Sequence, residues 1–340
     1  MNIALFLVGL VITLIVIYDM VYTILSPRGA GLIADRVSRN LWRGYLELVG
    51  GNGKNRSLRF IGPLLLLIIV LVWIILLWIG NTIMIYSDGQ ALWSGTSREY
   101  VPGFIEKLYF TAYVLSSMGS GDYTPASDLW MLYTGFISYT GVVFISLGIS
   151  FLIPVIEAIT LKRQVSLQLH NLGPNPRSIL ENYSENGYME LMEKLDSLEP
   201  SILKLAQYHL AYPVIHYFHS ERRYECLPVM LASLDEALSI LMYKVDKDSI
   251  NNIMSLRTAY NALTYYHSTL ANAFITPGDD EPEHPDTSYL TQISKKDSIH
   301  GERSGSDLVH RRKLLLAYLQ NDGWEWDDMA KYGEAVSLKN

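Results

Sequence analysis

The chain has 340 residues, a hydrophobic fraction of 49% and a formal net charge of −7, with a single cysteine, Cys226. Residues 1–159 hold nine acids, nine bases and most of the long apolar runs, so residues 160–340, with the other 25 acids and 18 bases, carry the whole net charge. A neutral apolar half followed by an acidic half reads as a membrane domain plus an aqueous domain. One cysteine excludes an internal disulfide framework and fits a small buried residue. The absence of a Cys-x-x-Cys pair or a basic, aromatic-rich strand pattern excludes zinc fingers and nucleic-acid modules.

In chain order, the first apolar run is Ile3–Leu25, long enough to span a bilayer, which takes about 20 residues of helix. It has no basic n-region and no small-x-small cleavage site, so it reads as a retained helix rather than a signal peptide. Asp19 within it is an intramembrane acid near one end, placed to reach water or to pair with Arg28. No row of arginines marks it as a voltage sensor. Two further spans are expected at Ile61–Tyr86 and at residues 130–156.

The intervening charges orient these spans. Loop 27–60 carries Arg28, Arg36, Arg39, Arg43, Lys54, Arg56 and Arg59 against Asp35 and Glu47, while loop 87–103 carries one base, Arg98. Lys162 and Arg163 follow the third span. The positive-inside rule then predicts a multi-pass protein of the cell membrane, with its N-terminus outside and loop 27–60 and the C-terminal half in the cytoplasm. Within loop 27–60, Ile33, Val37, Leu41, Tyr45 and Val49 recur every fourth residue with arginines between them and Trp42 beside them. This stripe fits a helix on the inner membrane surface, or one packed on the cytoplasmic domain.

Residues 104–125 are apolar but too short to cross and return as two spans. They must therefore enter and leave by the outer face, and irregular backbone at that depth is tolerated only when buried in protein or lining a water-filled path. The segment runs Leu108-Tyr109-Phe110-Thr111-Ala112-Tyr113-Val114-Leu115-Ser116-Ser117-Met118-Gly119-Ser120-Gly121-Asp122-Tyr123-Thr124-Pro125. A dehydrated cation needs rings of oxygen, which an extended backbone supplies when its carbonyls face one axis. That geometry calls for left-handed residues, which glycine adopts at least cost, and Gly119 and Gly121 sit two apart. Ser117 adds a hydroxyl, and Asp122 braces the loop. The preceding helix, about 104–116, directs its partly negative C-terminus at a cation. One loop gives a quarter of a ring, so four chains are required.

The segment resembles the pore helix and filter of the two-transmembrane-helix potassium channels, a pore-loop cation channel family. It keeps the family's hydroxyl residue (Ser117), both glycines, Asp122 and Pro125. It departs at Met118, usually Val or Ile, and at Ser120, usually an aromatic that anchors the filter to the pore helix. The resemblance implies a homotetramer with K+ in the filter. Because serine cannot span that gap and methionine is more pliable than a β-branched residue, Na+ permeation is the alternative.

The third span would line the cavity of such a pore. Gly141 lies nineteen residues after Asp122, where the family commonly has its hinge glycine, and Gly148 follows two turns later; bending and close packing both suit glycine here. Pro154 removes a backbone donor near the inner end. Ile145, Leu152 and Val155 are the candidate constriction by spacing, and Glu157 is placed for an acidic ring at the inner mouth or simply for the interface.

Beyond residue 160 the pattern is helical from about 175 to 274. Leu227, Leu231, Leu234, Leu238, Leu241 and Val245 form one seam, and Ile253, Leu256, Tyr260, Leu263, His267, Leu270 and Phe274 another, suited to a bundle or to assembly about a symmetry axis. Pro200 and Pro228 are expected to open helices. No Gly-rich strand–turn–helix or cyclic-nucleotide roll is indicated. His209, His216 and His219 fall near one helix face, a weak metal or proton-sensor signal set against ordinary packing, with Pro213 between them. Residues 276–307, rich in Pro, Ser, Gly and acids, read as a flexible linker before a short helix at 308–320.

The expected organisation is thus an all-α membrane protein with three transmembrane helices, a re-entrant pore helix and filter per subunit, and a helical cytoplasmic domain. Its segments are an extra N-terminal helix (1–26), a basic loop with an interfacial helix (27–60), a pore domain (61–159), a cytoplasmic helical domain (160–275), a linker (276–307) and a terminal helix and tail (308–340). The function implied is a gated, potassium-preferring tetrameric cation channel. The alternatives are a non-selective channel of the same build and a non-conducting scaffold or sensor. No residue constellation supports an enzyme, no cofactor beyond the permeant ion is expected, and the partners are further copies of the chain and membrane lipids, with any regulatory ligand unspecified.

Overall fold

The computed structural model describes residues 1–27, 29–273, 275–283, 287–290 and 302–330. Arg28, Phe274, parts of the expected linker and the 331–340 tail lie outside the described residues. Among the described residues three helices are long and apolar enough to cross a membrane: Ile3–Leu25, Arg56–Tyr86 with its opening 3-10 turn, and Asp128–Leu172. Contacts divide the chain into two compact units, one formed by Met1–Arg39 and Leu64–Ile156, the other by Asn40–Pro63 with Glu157 onward. The segment 27–60, read from sequence as one loop, is therefore shared between the two.

In the first unit, α1 (Ile3–Leu25) starts where the Asn2 side chain accepts the Leu5 amide, and stops before Pro27, which cannot continue a helix. Its buried face, Gly9, Thr13, Val16, Met20 and Thr23, steps by four and three. The start of α2 (Leu32–Leu48) follows, and then α3 (Ile61–Tyr86). A Cβ on Gly9 would lie 2.6 Å from the Gly80 carbonyl oxygen, and one on Gly80 would lie 2.6 Å from Thr13 Oγ1. Small residues thus bring α1 and α3 into backbone contact, the way apolar helices associate without a hydrophobic driving force.

Asp19 has a structural task. Its carboxylate, 2% exposed, accepts the amides of Ile33 at 2.7 Å and Ala34 at 3.3 Å and the Trp73 indole N–H at 2.8 Å. It therefore caps the first turn of α2 from fourteen residues upstream, satisfying donors that helix geometry leaves open. Gly31 is required for this, since any Cβ there would collide with the Asp19 carboxylate.

The remaining elements of the first unit are β1 (Leu92–Ser94), α4 (Phe104–Leu115), β2 (Tyr123–Pro125) and the first part of α5 (Asp128–Leu172). β1 and β2 pair antiparallel, with Leu92 opposite Pro125 and Ser94 opposite Tyr123. The third apolar run is expected to end near residue 156, but α5 continues unbroken through Pro154 to Leu172. Polar residues after 156 end the apolar run without ending the helix, because hydropathy and helix propensity are separate properties.

The second unit is a helical bundle. The end of α5 leads to α6 (Pro176–Asn182), α7 (Met189–Ala211), α8 (Leu227–Tyr243), α9 (Ile253–Ala273), α10 (Glu302–Asn321) and α11 (Trp326–Ala330). Pro228 opens α8, but Pro200 lies inside α7, which continues through it with one backbone donor missing. The expected seam residues of α8 are all buried, and the helix is buried on every side from Leu227 to Leu241. It is the central rod of the core. Trp42 of α2 joins this unit: it is 2% exposed and its indole donates to the Asn321 carbonyl at 3.0 Å. Ala34, Ser38 and Trp42 are the buried positions of α2, while Leu41 of the expected stripe is exposed, so its C-terminal half packs on the bundle. The terminal helix begins at Glu302, inside the stretch expected to be linker.

Burying α8 also buries its polar pair, Asp235 and Glu236. Arg311 Nε stands 2.8 Å from both Asp235 oxygens, its Nη1 donates to Thr264, and its guanidinium lies over the Tyr260 ring. Arg312 Nε reaches Glu236 at 3.2 Å. Two adjacent acids on the core helix are thereby matched to two adjacent arginines on α10, which compensates charges that would otherwise be too costly to bury.

Candidate ion filter

α4 is held by contacts along its length, independently of its exit loop. The Trp78 indole donates to the Leu108 carbonyl at 2.8 Å, and Thr82 lies 3.1 Å from Thr111, so α3 holds one flank of α4. Near its start, Lys107 is fully buried and donates to the Asp88 carbonyl at 2.7 Å. Asp88 in turn accepts the Trp130 indole at 3.0 Å. At the other end, Gly141 of α5 meets the Leu115 carbonyl so closely that no Cβ fits between them. Gly141 is a packing position for the end of α4; a side chain there would displace the loop that follows.

That loop is Ser117–Asp122. Its φ angles are positive at Ser117 (57°), Gly119 (66°) and Gly121 (75°), and not at Met118 or Ser120. In an ordinary strand successive carbonyls point to opposite sides; inserting a left-handed residue at every second position turns them toward one side. The strip therefore has the alternation that a line of carbonyl ligands needs. Space does not demand the glycines, since a Cβ on Gly119 or Gly121 would meet nothing within 4 Å. The left-handed conformation alone does. Ser117 takes it without being glycine, at a cost of roughly 1–2 kcal/mol, and its hydroxyl lies 3.3 Å from that of Ser138 on α5.

The strip is braced from α4. The Met118 amide donates to the Tyr113 carbonyl at 2.9 Å, the Tyr113 hydroxyl donates to the Tyr123 carbonyl at 2.7 Å, and the Tyr109 hydroxyl donates to Asp122 at 3.1 Å. Gly95, next to β1, donates to the Asp122 carbonyl at 2.8 Å. Two tyrosines of α4, Tyr109 and Tyr113, thus reach the loop from the helix side. Every residue from Ser117 to Asp122 is solvent-exposed in the single chain, and Met118 is 62% exposed.

Of the expected inner-helix positions, Gly141, Ile145, Gly148 and Leu152 line an apolar cavity of about 500 Å³ with Trp73 and Trp78 of α3. Gly148 has open space around it. Val155 is fully buried within the chain and does not line that cavity; spacing by seven and three left the rotational phase of the helix unfixed. Glu157 accepts Lys204 at 2.8 Å and the Tyr208 hydroxyl at 2.7 Å and is a paired carboxylate.

The three histidines do not share a helix face. His209 is in α7, the chain leaves that helix at Tyr212, His216 sits in the following 3-10 turn, and His219 lies beyond it. His216 faces the Asn321 amide oxygen at 2.9 Å, whereas His219 stands 3.1 Å from Asp322 and 2.6 Å from the Gly53 carbonyl. Among the described residues no group of three His, Cys, Asp or Glu side chains is placed to hold a metal ion. Cys226 is buried, with its thiol 3.5 Å from Asp322.

The chain is similar to the "Uncharacterized membrane protein YdjJ" of Bacillus subtilis (strain 168), 29% identical over 330 residues and covering 96% of both chains. No family model and no solved structure matches it. With three membrane-length apolar helices and a mainly helical chain, this similarity establishes an all-α membrane protein.

Proposed function

We propose that the chain is one subunit of a homotetrameric pore-loop cation channel, resembling the two-transmembrane-helix potassium channels and preferring K+. The observation that carries this is the alternation of left-handed backbone at Ser117, Gly119 and Gly121 directly after α4. Ser117 holds it without being glycine, at a cost of roughly 1–2 kcal/mol, and four such strips about an axis would give stacked oxygen rings for a dehydrated cation. The basic residues of 27–60 and Lys162–Arg163 favour a cytoplasmic bundle and an outer N-terminus. A non-selective channel is the second reading, favoured by the serine at position 120, where the resembled family usually has an aromatic.

The test is flux from liposomes holding the purified protein, followed by bi-ionic reversal potentials with K+ and Na+. A reversal potential near the K+ equilibrium value supports the first reading, and equal permeability replaces it with the second. No cation flux at any tested pH, calcium concentration or membrane tension would make the protein a scaffold or sensor.

A further inference from the structure

The second unit holds a cavity of about 280 Å³ lined by Arg59, Lys162, Arg163 and Arg222, against two carboxylates, Glu221 and Glu225, with Phe218 and Ile159 as its apolar wall. Residues 160–340 are strongly acidic, so a basin with four cations and two anions runs against the charge of its surroundings. His219 also lines it, and its partner Asp322 offsets that charge from behind.

The ion pairs inside the basin leave binding capacity. Arg163 holds Glu225 at 2.8 Å, but Arg222 lies 3.8 Å from Glu225, its Nη1 donating to the Tyr224 hydroxyl at 2.9 Å, and Arg59 lies 3.6 Å from Glu221, so neither of these two carboxylate contacts is a hydrogen bond. A guanidinium has five N–H donors in a planar fork that suits carboxylate or phosphate oxygens. These three arginines are more than half exposed, so their heads can turn to a ligand. Lys162 is different: it is buried, with its ammonium on the carbonyls of Ile215 at 3.2 Å and Phe218 at 2.7 Å, and it acts as a fixed charge beneath the cavity. At about 30 Å³ per water, the volume takes a phosphate group with its ester carbons. A cluster that served only stability would match its charges one for one; this one has a surplus of two.

We propose that this cavity binds a phosphate-bearing anion, gripped by Arg59, Arg163 and Arg222 over the buried charge of Lys162. Arg59 comes two residues before α3 and Arg163 seven residues after the third apolar run, so the phosphate of an anionic lipid and that of a soluble ester are both chemically suitable. The binding is independent of whether the protein conducts ions, and its test reads binding alone.

The full chain is placed in phosphatidylcholine nanodiscs, and its unfolding temperature is followed as inorganic phosphate or glycerol 3-phosphate is added. A parallel series replaces phosphatidylcholine with increasing phosphatidylglycerol. A saturable rise is expected in at least one series: with the soluble phosphates if the source is aqueous, with phosphatidylglycerol alone if it is the lipid. Arg163→Gln/Arg222→Gln should weaken that response about tenfold or more, as loss of charge-assisted hydrogen bonds does. Arg59→Gln, altered from the other side of the cavity, should do likewise if the double variant is poorly folded, and Arg257→Gln, exposed on α9, should leave the response intact. No saturable response in any series, or wild-type response in both cavity variants, would overturn the proposal.

Discussion

Replacing Gly119 by alanine isolates the backbone geometry of the proposed filter strip. The φ of Gly119 is 66° and an added Cβ meets nothing within 4 Å, so no clash contributes and only the left-handed penalty remains. That penalty is roughly 1–2 kcal/mol per residue. In a fourfold assembly the four copies act on one structure, giving roughly 4–8 kcal/mol, or about three to six decades in the population of the aligned filter. The expected result is a folded, assembled protein, judged by gel filtration, whose liposomes lose cation flux. Gly44→Ala is the control: Gly44 lies within α2 and also has open space around its Cα, so alanine there is expected to stabilise slightly and leave flux unchanged. Ser117 is already left-handed with a side chain, so Ser117→Gly should relieve strain and keep flux, while Ser117→Val should abolish it. Wild-type flux from an assembled Gly119→Ala protein would refute the reasoning, because the alternation would then not matter.

Asp19→Ala should lower stability by roughly 2–5 kcal/mol, a lost cap plus an orphaned buried indole, whereas Asp19→Asn, which keeps one acceptor oxygen, should cost about half; thermal unfolding followed by tryptophan fluorescence checks this, and equal loss in both would show that charge rather than acceptance matters. Burial alone would lower the pKa of His219, but Asp322 and the Gly53 carbonyl outweigh it and raise it above the usual imidazole value. The stability this contributes is present in full below the unfolded pKa of about 6.5 and is lost as pH rises through the folded pKa. His216 and His267, pushed by burial to about 4 and about 3, act oppositely on the acid side, so the comparison is between wild type and His219→Gln: their gap in unfolding temperature should shrink from pH 6 to pH 9, and a constant gap would exclude the charged pair. Arg311→Met alone should destabilise the bundle by about 3–5 kcal/mol by stranding Asp235, and Asp235→Leu/Arg311→Met should recover most of it; additive losses in that cycle would show that the two do not act as a pair. Asp235 suits the cycle better than its neighbour, because burial raises Glu236 to about 7 and its charge varies near neutral pH.

How much of this was readable in advance follows from the range over which each signal acts. The helices Ile3–Leu25 and Ile61–Tyr86 end where their apolar runs end, because hydropathy is a property of consecutive residues. The glycines at 119 and 121 advertise left-handed backbone locally. Ser117 does not, since nothing in a serine marks positive φ, and Tyr109 and Tyr113 look like any helical aromatics until the loop folds back on them. The cap at Asp19 depends on a helix that begins thirteen residues later, and Arg311 finds Asp235 across 76 positions. Adjacent acids in the middle of the leucine-rich run Leu227–Leu241 were the available signal: charges on the buried seam of a helix need partners. Histidine spacing put three side chains near one helix face, but the chain leaves the helix at Tyr212, just before Pro213, and separates them.

The bare filter strip has a genetic consequence. On the tetrameric reading each subunit supplies a quarter of every oxygen ring, and no subunit can complete one with its own atoms. A single altered copy of Gly119 then spoils the rings to which three sound copies contribute. In a cell making altered and normal chains equally, only about one assembly in sixteen would be wholly normal if they mix at random. The six exposed residues Ser117–Asp122 would make such an allele dominant, with a loss far steeper than the share of altered protein.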